Sequence, residues 1–211
     1  MSKFDLHEQE QINNLQYFWQ KAGKYIIGLA FLGLIAYGAS AWWNWRNSTR
    51  AADAALVYET FTSAYNSKDV NKALGATKEL QNDYSSTEYA TMATLLSAKM
   101  SWDKKDLAQT AKSLNWIIDN SKDVGMVNTA KLRLADIYID EKKYDKAIKL
   151  LLEKHDSAFD PLYYSKRGDL YVAQGDQTKA RDAYKEALKK VGQDSSMSQG
   201  IQMRLDVLGN N

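Results

Sequence analysis

One uncharged and mostly apolar run, from Tyr25 to Trp45, constrains the fold of this chain more than any other feature. The run contains no Asp, Glu, Lys or Arg, and nothing comparable occurs elsewhere in the 211 residues. A helix of this length rises about 30 Å at about 1.5 Å per residue, which is the hydrocarbon thickness of a bilayer. The sequence therefore predicts one membrane-spanning helix between a short leading segment and a large polar domain.

Two other interpretations of the apolar run compete with a membrane span. A buried core helix would show a polar stripe, and this run offers only Tyr37, Ser40 and Asn44 for one. A cleaved signal peptide would use a small-residue site such as Ala39-Ser40-Ala41, but the run starts late and continues into bulky tryptophans. Amphipathic rings favour the headgroup region of a bilayer, so the aromatic residues at both ends favour a retained span. The predicted membrane-interface residues are Trp19, Tyr25, Trp42, Trp43 and Trp45.

The charges that flank the run give a small orientation bias. Three lysines precede it and two arginines follow it closely, while long domains are translocated largely regardless of their charge. We therefore expect a cytoplasmic segment over 1–24, the transmembrane helix over 25–45, and a periplasmic domain over 46–211. The leading segment also shows the spacing of an amphipathic helix on the membrane surface, formed by Ile12, Leu15, Trp19 and Ala22.

The composition argues against several classes of function. The formal charge is +2, from 28 Lys and Arg against 26 Asp and Glu, and without a concentrated basic face no nucleic-acid partner is expected. The lack of cysteine excludes disulfides, thiolate metal sites and cysteine nucleophiles. His7 and His155 lie far apart, and no hydrolase, P-loop or dinucleotide motif occurs. We therefore predict no catalytic residue, no metal site and no cofactor, and a chain that is not an enzyme.

Two segments in the second half of the chain, 132–153 and 165–188, align at a constant offset of 33 residues. The matched positions are Ala135 with Gly168, Tyr138 with Tyr171, Ala147 with Ala180, and Leu151 with Tyr184. Small residues at two of these positions let two antiparallel helices approach closely, which is the tetratricopeptide pattern. The sequence therefore predicts an all-α fold, in which a transmembrane helix precedes an α-solenoid of tetratricopeptide-like helix pairs.

Upstream of these segments the sequence indicates two further helix pairs more weakly. The nearer pair has Ala98 at the small position and a turn at 102–106, with 37 residues to the next copy. A pair over 51–82, turning at 66–69, matches the pattern poorly, and we interpret it as an atypical cap of the array near the membrane. A last helix at 197–208 would close the other end.

The first helices of successive tetratricopeptide pairs line a groove that binds peptides or partner segments. The repeat register predicts which side chains face this groove, and several of them are apolar, which suits unfolded or amphipathic segments. The sequence is equally compatible with these side chains packing on a neighbouring helix or on a tail. The predicted partner-binding residues are Met92, Leu95, Lys99, Trp102, Thr129, Leu132, Asp136, Ile139, Ser165, Asp169 and Val172.

Taken together, these features resemble the YfgM-type ancillary subunits of the bacterial Sec translocon. The resemblance rests on the Gln-rich start at 7–12, the block from Phe18-Trp19 to Gly23-Lys24, a single span closed by tryptophans, and the degenerate repeats. It covers essentially the whole chain and implies a single-pass protein of the bacterial inner membrane with its C-terminal domain in the periplasm. It also implies association with SecYEG channel subunits and with a membrane-anchored periplasmic chaperone of the prolyl-isomerase type, and no catalytic residue is carried over.

The sequence leaves three functional interpretations open. The first is an interaction module at the translocon that helps hand secreted proteins to periplasmic chaperones, with the lipid bilayer, the channel and client polypeptides as partners. The second is a membrane-anchored scaffold or regulator of envelope assembly or stress signalling that has no direct role in secretion. The third is a processed, soluble periplasmic binding protein whose mature chain would begin at Trp42.

Overall fold

The computed structural model describes residues 4–191 and 196–209, and in the first helix it describes no side chains for residues 4–16, 18, 20, 26 and 47. All regular structure in the described residues is helical, which confirms the predicted fold class. The predicted amphipathic positions Ile12 and Leu15, as well as His7 and Phe18, lie outside the described side chains. The chain divides into two compact units, Met1–Arg50 and Ala51–Asn211.

Nine helices occur in the described part of the chain, with a short 3₁₀ turn at Ser157–Phe159. They are α1 (Phe4–Asn66), α2 (Val70–Asp83), α3 (Glu88–Asp103), α4 (Leu107–Asn120), α5 (Val124–Asp140), α6 (Tyr144–Leu151), α7 (Asp160–Gln174), α8 (Gln177–Lys190) and α9 (Ser196–Val207). In the second unit, the end of α1 pairs with α2, and α3/α4, α5/α6 and α7/α8 form the next pairs. The predicted last helix is α9, shifted by one residue at each end.

The first unit contains the apolar segment. Of the described residues, one stretch of helix, Lys21–Asn66, is long and apolar enough to cross a membrane. Its most apolar 18-residue window has a mean hydropathy of 1.7, and none of that window is buried. Large side chains such as Leu29 and Phe31 are exposed along it. Such a surface is stable in contact with lipid and costly in contact with water.

The turn inside each helix pair has the same backbone geometry four times. Lys68, Lys105, Lys142 and Gly175 all have positive φ, between 59° and 80°. At each turn this residue donates its amide to the carbonyl three residues back, and the next residue donates to the carbonyl five residues back. These bonds satisfy the last carbonyls of the first helix and reverse the chain. The pair over 51–82, which matches the sequence pattern poorly, therefore has the same turn as the others.

Three of the four second helices begin with the same cap. Asp69, Asp106 and Asp176 each accept a hydrogen bond from the backbone amide three residues ahead, at 3.0–3.1 Å. At the start of α6 the equivalent residue is Lys143, which makes no side-chain cap bond. An Asp cap stabilises a helix start by about 1 kcal/mol, so α6 lacks this contribution. This helix is also the shortest second helix, with 8 residues against 14 in α2, α4 and α8.

The predicted contact positions of the repeat are buried where the two helices of a pair meet. Ala135 and Ala147 are fully buried in the third pair, where Leu151 lies at the remaining position. In the fourth pair Gly168 lies against the ring of Tyr184, and a Cβ on Gly168 would overlap that ring. The small residue and its partner thus compensate each other in volume, which confirms the predicted repeat register.

The core of the second unit consists of three clusters and changes in chemistry along the array. Between the first and second pairs, small polar side chains are buried, and the hydroxyls of Thr77 and Ser97 lie 2.6 Å apart. From the second pair onward the core is aliphatic, with Leu114, Leu134 and Leu170 among its buried residues. A separate cluster around Ile201 of α9 closes the end of the array.

Candidate interaction surface

The predicted groove residues lie on the first helices α3, α5 and α7, but their exposure differs. Met92, Lys99, Trp102 and Val172 are exposed. The half-buried residues are Leu95, Thr129, Leu132, Asp136, Ile139 and Asp169, and Ser165 is buried. Leu95, Leu132 and Ile139 pack against the aliphatic core, so their main contacts are with neighbouring helices. The surface that remains is concentrated at the end of α3 and on the facing part of α5.

A cavity of about 390 Å³ opens where α3, α4 and α5 meet, which we call the open junction. Three of the predicted residues, Lys99, Trp102 and Asp136, line it together. Apolar side chains lie among its lining residues, including Leu114 of α4 and Ile137 of α5. The cavity lies between the first helices of two successive pairs, where the repeat register predicts the groove.

Two charged residues that the sequence prediction omitted also line the cavity. Arg133 and Asp140 lie on α5, three residues before and four residues after Asp136. Residues at these spacings share one face of a helix, so their spacing from Asp136 could have identified them in the sequence. The lining of the open junction is therefore an apolar floor with an aromatic wall and charges of both signs.

The boundary formed by α5, α6 and α7 differs, and we call it the closed junction. Here the two first helices, α5 and α7, contact each other directly. Tyr163 of α7 is fully buried and donates its hydroxyl to Asn128 of α5 at 2.8 Å. Lys166 of α7 lies 2.5 Å from Asp136 and 3.3 Å from Asp169, so it bridges the two helices. Tyr163 and Lys166 thus bridge α5 and α7 at the closed junction, at the place equivalent to the cavity of the open junction.

The C-terminal helix contacts two of the three predicted groove residues on α7, Ser165 and Asp169. Arg204 of α9 donates to the hydroxyl of Ser165 at 2.9 Å and lies 3.7 Å from Asp169. Tyr184 of α8 donates to the same Asp169 carboxylate at 2.9 Å. Ser165 is 5% exposed, so the expectation that it faces an accessible groove is wrong for this residue. The cause is tertiary packing by α9, which places Arg204 against Ser165 and Asp169.

Burial shifts the acidity of several groups around the closed junction. It raises the pKa of Tyr163 to about 12, with a smaller contribution from the Glu153 carboxylate. It also raises the pKa of Tyr184, to which the Asp169 charge and its hydrogen bond add. Burial raises the pKa of Asp136 as well, against the opposing effect of Lys166. These groups are held in place as structural partners, and the two tyrosines stay neutral at physiological pH.

His155, the histidine whose side chain the structure describes, has structural contacts. The ring of His155 stacks on that of Tyr163 at 3.7 Å, and its Nδ1 lies 2.9 Å from the Glu153 carbonyl oxygen. Its Nε2 lies 3.2 Å from Asp160. Among the residues that the structure describes, no group of three or more His, Cys, Asp or Glu could hold a metal ion. His155 thus fixes the loop between α6 and α7.

The predicted membrane-interface aromatics are all exposed by half or more of their surface. They are Trp19, Tyr25, Trp42, Trp43 and Trp45. Cations accompany them at both ends, since Lys24 lies 5.1 Å from the ring of Tyr25 and Arg46 lies 5.4 Å from that of Trp42. Gly23 leaves room for Trp19, because a Cβ there would come within 3.3 Å of the indole. The spacing between Trp19 and Gly23 therefore has a packing reason.

Comparison with known proteins matches both units of this chain. The sequence profile of the tetratricopeptide repeat-like domain family covers residues 16–210. A protein of Neisseria gonorrhoeae named "Ancillary SecYEG translocon subunit" is 31% identical over 204 residues, which are 96% of this chain and 98% of that protein. Proteins of the same name from Haemophilus influenzae and Escherichia coli are 26% and 25% identical. These two alignments cover 87% and 96% of this chain, and 90% and 97% of the respective relatives.

Proposed function

Since this chain belongs to the family of ancillary SecYEG translocon subunits with a tetratricopeptide repeat-like domain, we propose that it is a membrane-tethered protein-interaction module of the Sec translocon. The observation that carries this proposal is similarity along nearly the full length of the relatives, through the apolar helix and all the repeats. A role in binding also agrees with the cavity at the open junction. In this role the chain is not a catalyst.

The apolar helix of the first unit is the membrane anchor in this proposal. Its exposed side chains suit lipid, and the aromatic and cationic residues at its ends suit the two headgroup regions. We place the anchor in the bacterial inner membrane, with 1–24 in the cytoplasm, 25–45 in the bilayer and 46–211 in the periplasm. The orientation follows from the charge bias and from the family resemblance.

The anchor acts by raising local concentration. Tethering a binding domain beside a channel turns each later encounter into an intramolecular one, which raises the effective concentration of the binding site to about the millimolar range for a short link. A site of modest affinity is then occupied often enough to act on emerging chains. Such weak and repeated binding suits the transfer of secreted proteins from the channel to periplasmic folding factors.

The finer partners of the module are part of the same proposal. We infer that it contacts channel subunits through the membrane, and that its repeat domain meets a membrane-anchored chaperone of the prolyl-isomerase type or client polypeptides. Support for this comes from the family resemblance and from an exposed aromatic residue beside an apolar cavity, a combination common in protein interfaces.

Two experiments test the proposed function. The full-length protein, purified in mild detergent with an affinity tag, should co-purify SecYEG channel subunits and the periplasmic chaperone; loss of both under conditions that preserve the channel would overturn the proposal. A reporter active only in the periplasm, fused after Asn211, should be active. Activity of a cytoplasm-only reporter at the same position would contradict the orientation.

A further inference from the structure

The cavity at the open junction has a size and lining suited to one side chain. Its volume of about 390 Å³ exceeds that of a single large apolar residue, and its floor includes Ala98, Leu114 and Ile137. Trp102 forms one wall and is still 42% exposed, so the indole has a free face. An apolar side chain entering the cavity would remove this surface from water, which favours a complex.

The charges around the cavity are only partly neutralised by the protein itself. Lys99 is paired with Asp103 at 2.8 Å, and Asp136 is paired with Lys166. Arg133 and Asp140 line the same cavity, are exposed, and form no ion pair within the described part of the chain. They are seven residues apart on α5, which is about 10 Å along a helix. One unpaired cation and one unpaired anion thus flank the apolar floor.

Each of these two charges also faces a charge of its own sign. The Asp103 carboxylate raises the pKa of Lys99 and Arg133 partly opposes this rise, while burial raises the pKa of Asp136 and Asp140 adds to it, which is how neighbouring like charges act. A ligand carboxylate beside Arg133 and a ligand ammonium beside Asp140 would relieve both repulsions. The surface is therefore complementary to a ligand that carries both signs about 10 Å apart, and it is not complementary to a uniformly charged one.

We propose that the open junction binds an extended polypeptide segment in which an apolar side chain is flanked by an acidic and a basic residue, each two positions away. Alternate side chains of an extended chain share one face, so all three side chains face the repeat domain, and the two charged residues lie about 13 Å apart along the backbone, within reach of the Arg133 and Asp140 side chains. The apolar side chain enters the cavity against Trp102, and the two charges bind the rim. This proposal rests on the proposed function in that the repeat domain is taken as the binding part of the module.

A direct binding assay with the purified full-length protein in detergent micelles tests this proposal. The probes are three fluorescein-labelled peptides with the central sequences Glu-Ser-Phe-Ser-Lys, Glu-Ser-Ser-Ser-Lys and Lys-Ser-Phe-Ser-Lys, flanked by Gly-Ser. Fluorescence anisotropy should show that the first binds about tenfold tighter than the second, which lacks the apolar anchor. Equal affinities for these two peptides would overturn the proposal.

Charge reversal at the rim separates a specific site from general adhesion. Arg133→Glu should weaken binding of the Glu-Ser-Phe-Ser-Lys peptide about five- to tenfold, and this variant should bind the Lys-Ser-Phe-Ser-Lys peptide more tightly than the wild type does. Asp140→Lys should also weaken the first peptide. Lys112→Glu and Asp119→Lys are the matched controls, because both lie exposed on α4 and do not line the cavity. The controls should stay within about twofold of the wild type.

The outcomes of these assays can be told apart from those of the co-purification test. An Arg133→Glu effect no larger than that of Lys112→Glu would contradict the site. Because the assay contains no channel subunit, peptide binding with the predicted charge dependence supports the site even where co-purification with SecYEG fails. All four substituted side chains are exposed, and circular dichroism of each variant should match the wild type.

Discussion

The open junction and the closed junction are built from equivalent repeat positions, yet a cavity opens at the first and side chains bridge the second. They differ in the second helix that precedes the boundary. α4 has 14 residues and packs extensively on α5, whereas α6 has 8 residues and α7 packs on both α6 and α5. The repeat offset falls from 37 to 33 residues at the same place. The short α6 thus occurs at the closed junction, and the longer α4 occurs at the open junction, where the cavity lies.

The largest effect is expected from the residue that lets the fourth pair close. Gly168→Ala places a Cβ against the buried ring of Tyr184, which is also held by its bond to Asp169. We expect a loss of about 2–3 kcal/mol in the free energy of unfolding. Thermal unfolding of the full-length protein, followed by circular dichroism, measures it.

The third pair provides the compensating change for that substitution. Ala135 and Leu151 occupy the equivalent positions there. In a protein that already carries Tyr184→Leu, Gly168→Ala should therefore cost at most half of the unfolding free energy that it costs in the wild type. Additive losses in the double variant would show that the two pairs do not share one packing solution.

The closed junction should weaken at alkaline pH. Tyr163 ionises at about 12 in the folded protein and at about 10 when unfolded. Between these values the unfolded state has lost the proton that the folded state retains, so stability falls as pH rises from about 10 to about 12, by about 1–2 kcal/mol. Tyr163→Phe should have a smaller loss over this range in pH-dependent unfolding. An unchanged slope in that variant would contradict the account.

The bridge between α5 and α7 should be measurable by local hydrogen exchange. Lys166→Met removes the contacts to Asp136 and Asp169 and leaves two carboxylates close together. We expect a loss of about 1 kcal/mol and faster amide exchange in α7, with α3 unchanged. Lys112→Met, on exposed α4 surface, is the control and should change neither helix. Faster exchange in α3 as well would mean that the junctions are not independent.

The smallest effect is expected at the uncapped helix of the closed junction. Lys143→Asp restores the cap that Asp69, Asp106 and Asp176 provide elsewhere, and it should stabilise the protein by about 0.5–1 kcal/mol. Asp106→Ala is the reciprocal change and should cost a similar amount. Thermal unfolding of the Lys143→Asp and Asp106→Ala variants measures both changes. A destabilised Lys143→Asp variant would show that another contact, and not the missing cap, determines the stability of α6.

Much of the fold follows from the sequence because its periodic positions are local. The offset of 33 residues correctly places Ala135 and Ala147 in the buried core of the third pair and Gly168 against Tyr184 in the fourth, since each of these sets lies within one helix pair. The first pair matches the repeat pattern poorly for two reasons. Phe61 occupies the position of Ala135 and Gly168, where the pattern has a small residue, and Thr77 occupies the position of Leu151 and Tyr184, where it has a large one. The signal that identifies it is the repeated Lys-Asp turn, at Lys68-Asp69 and again one pair later.

The surface is harder to predict, because it depends on which helices approach each other. Trp102 and Val172 occupy the same repeat position and are similarly exposed, at 42% and 44%. The sequence does not show that α9 places Arg204 over Ser165, or that Lys166 spans two helices. It also omits Arg133, since the repeat register alone does not mark residues on the rim of a cavity.

Photo-crosslinking from the two equivalent positions tests the central claim most directly. Trp102 or Val172 would be replaced by p-benzoyl-phenylalanine in the full-length protein in cells, and adducts with SecYEG subunits or the periplasmic chaperone would be identified with antibodies. Position 102 lies at the cavity of the open junction, whereas position 172 does not line it. We predict adducts from position 102 that clearly exceed those from position 172. Equal adducts from both positions, or stronger ones from position 172, would contradict the assignment of binding to the open junction.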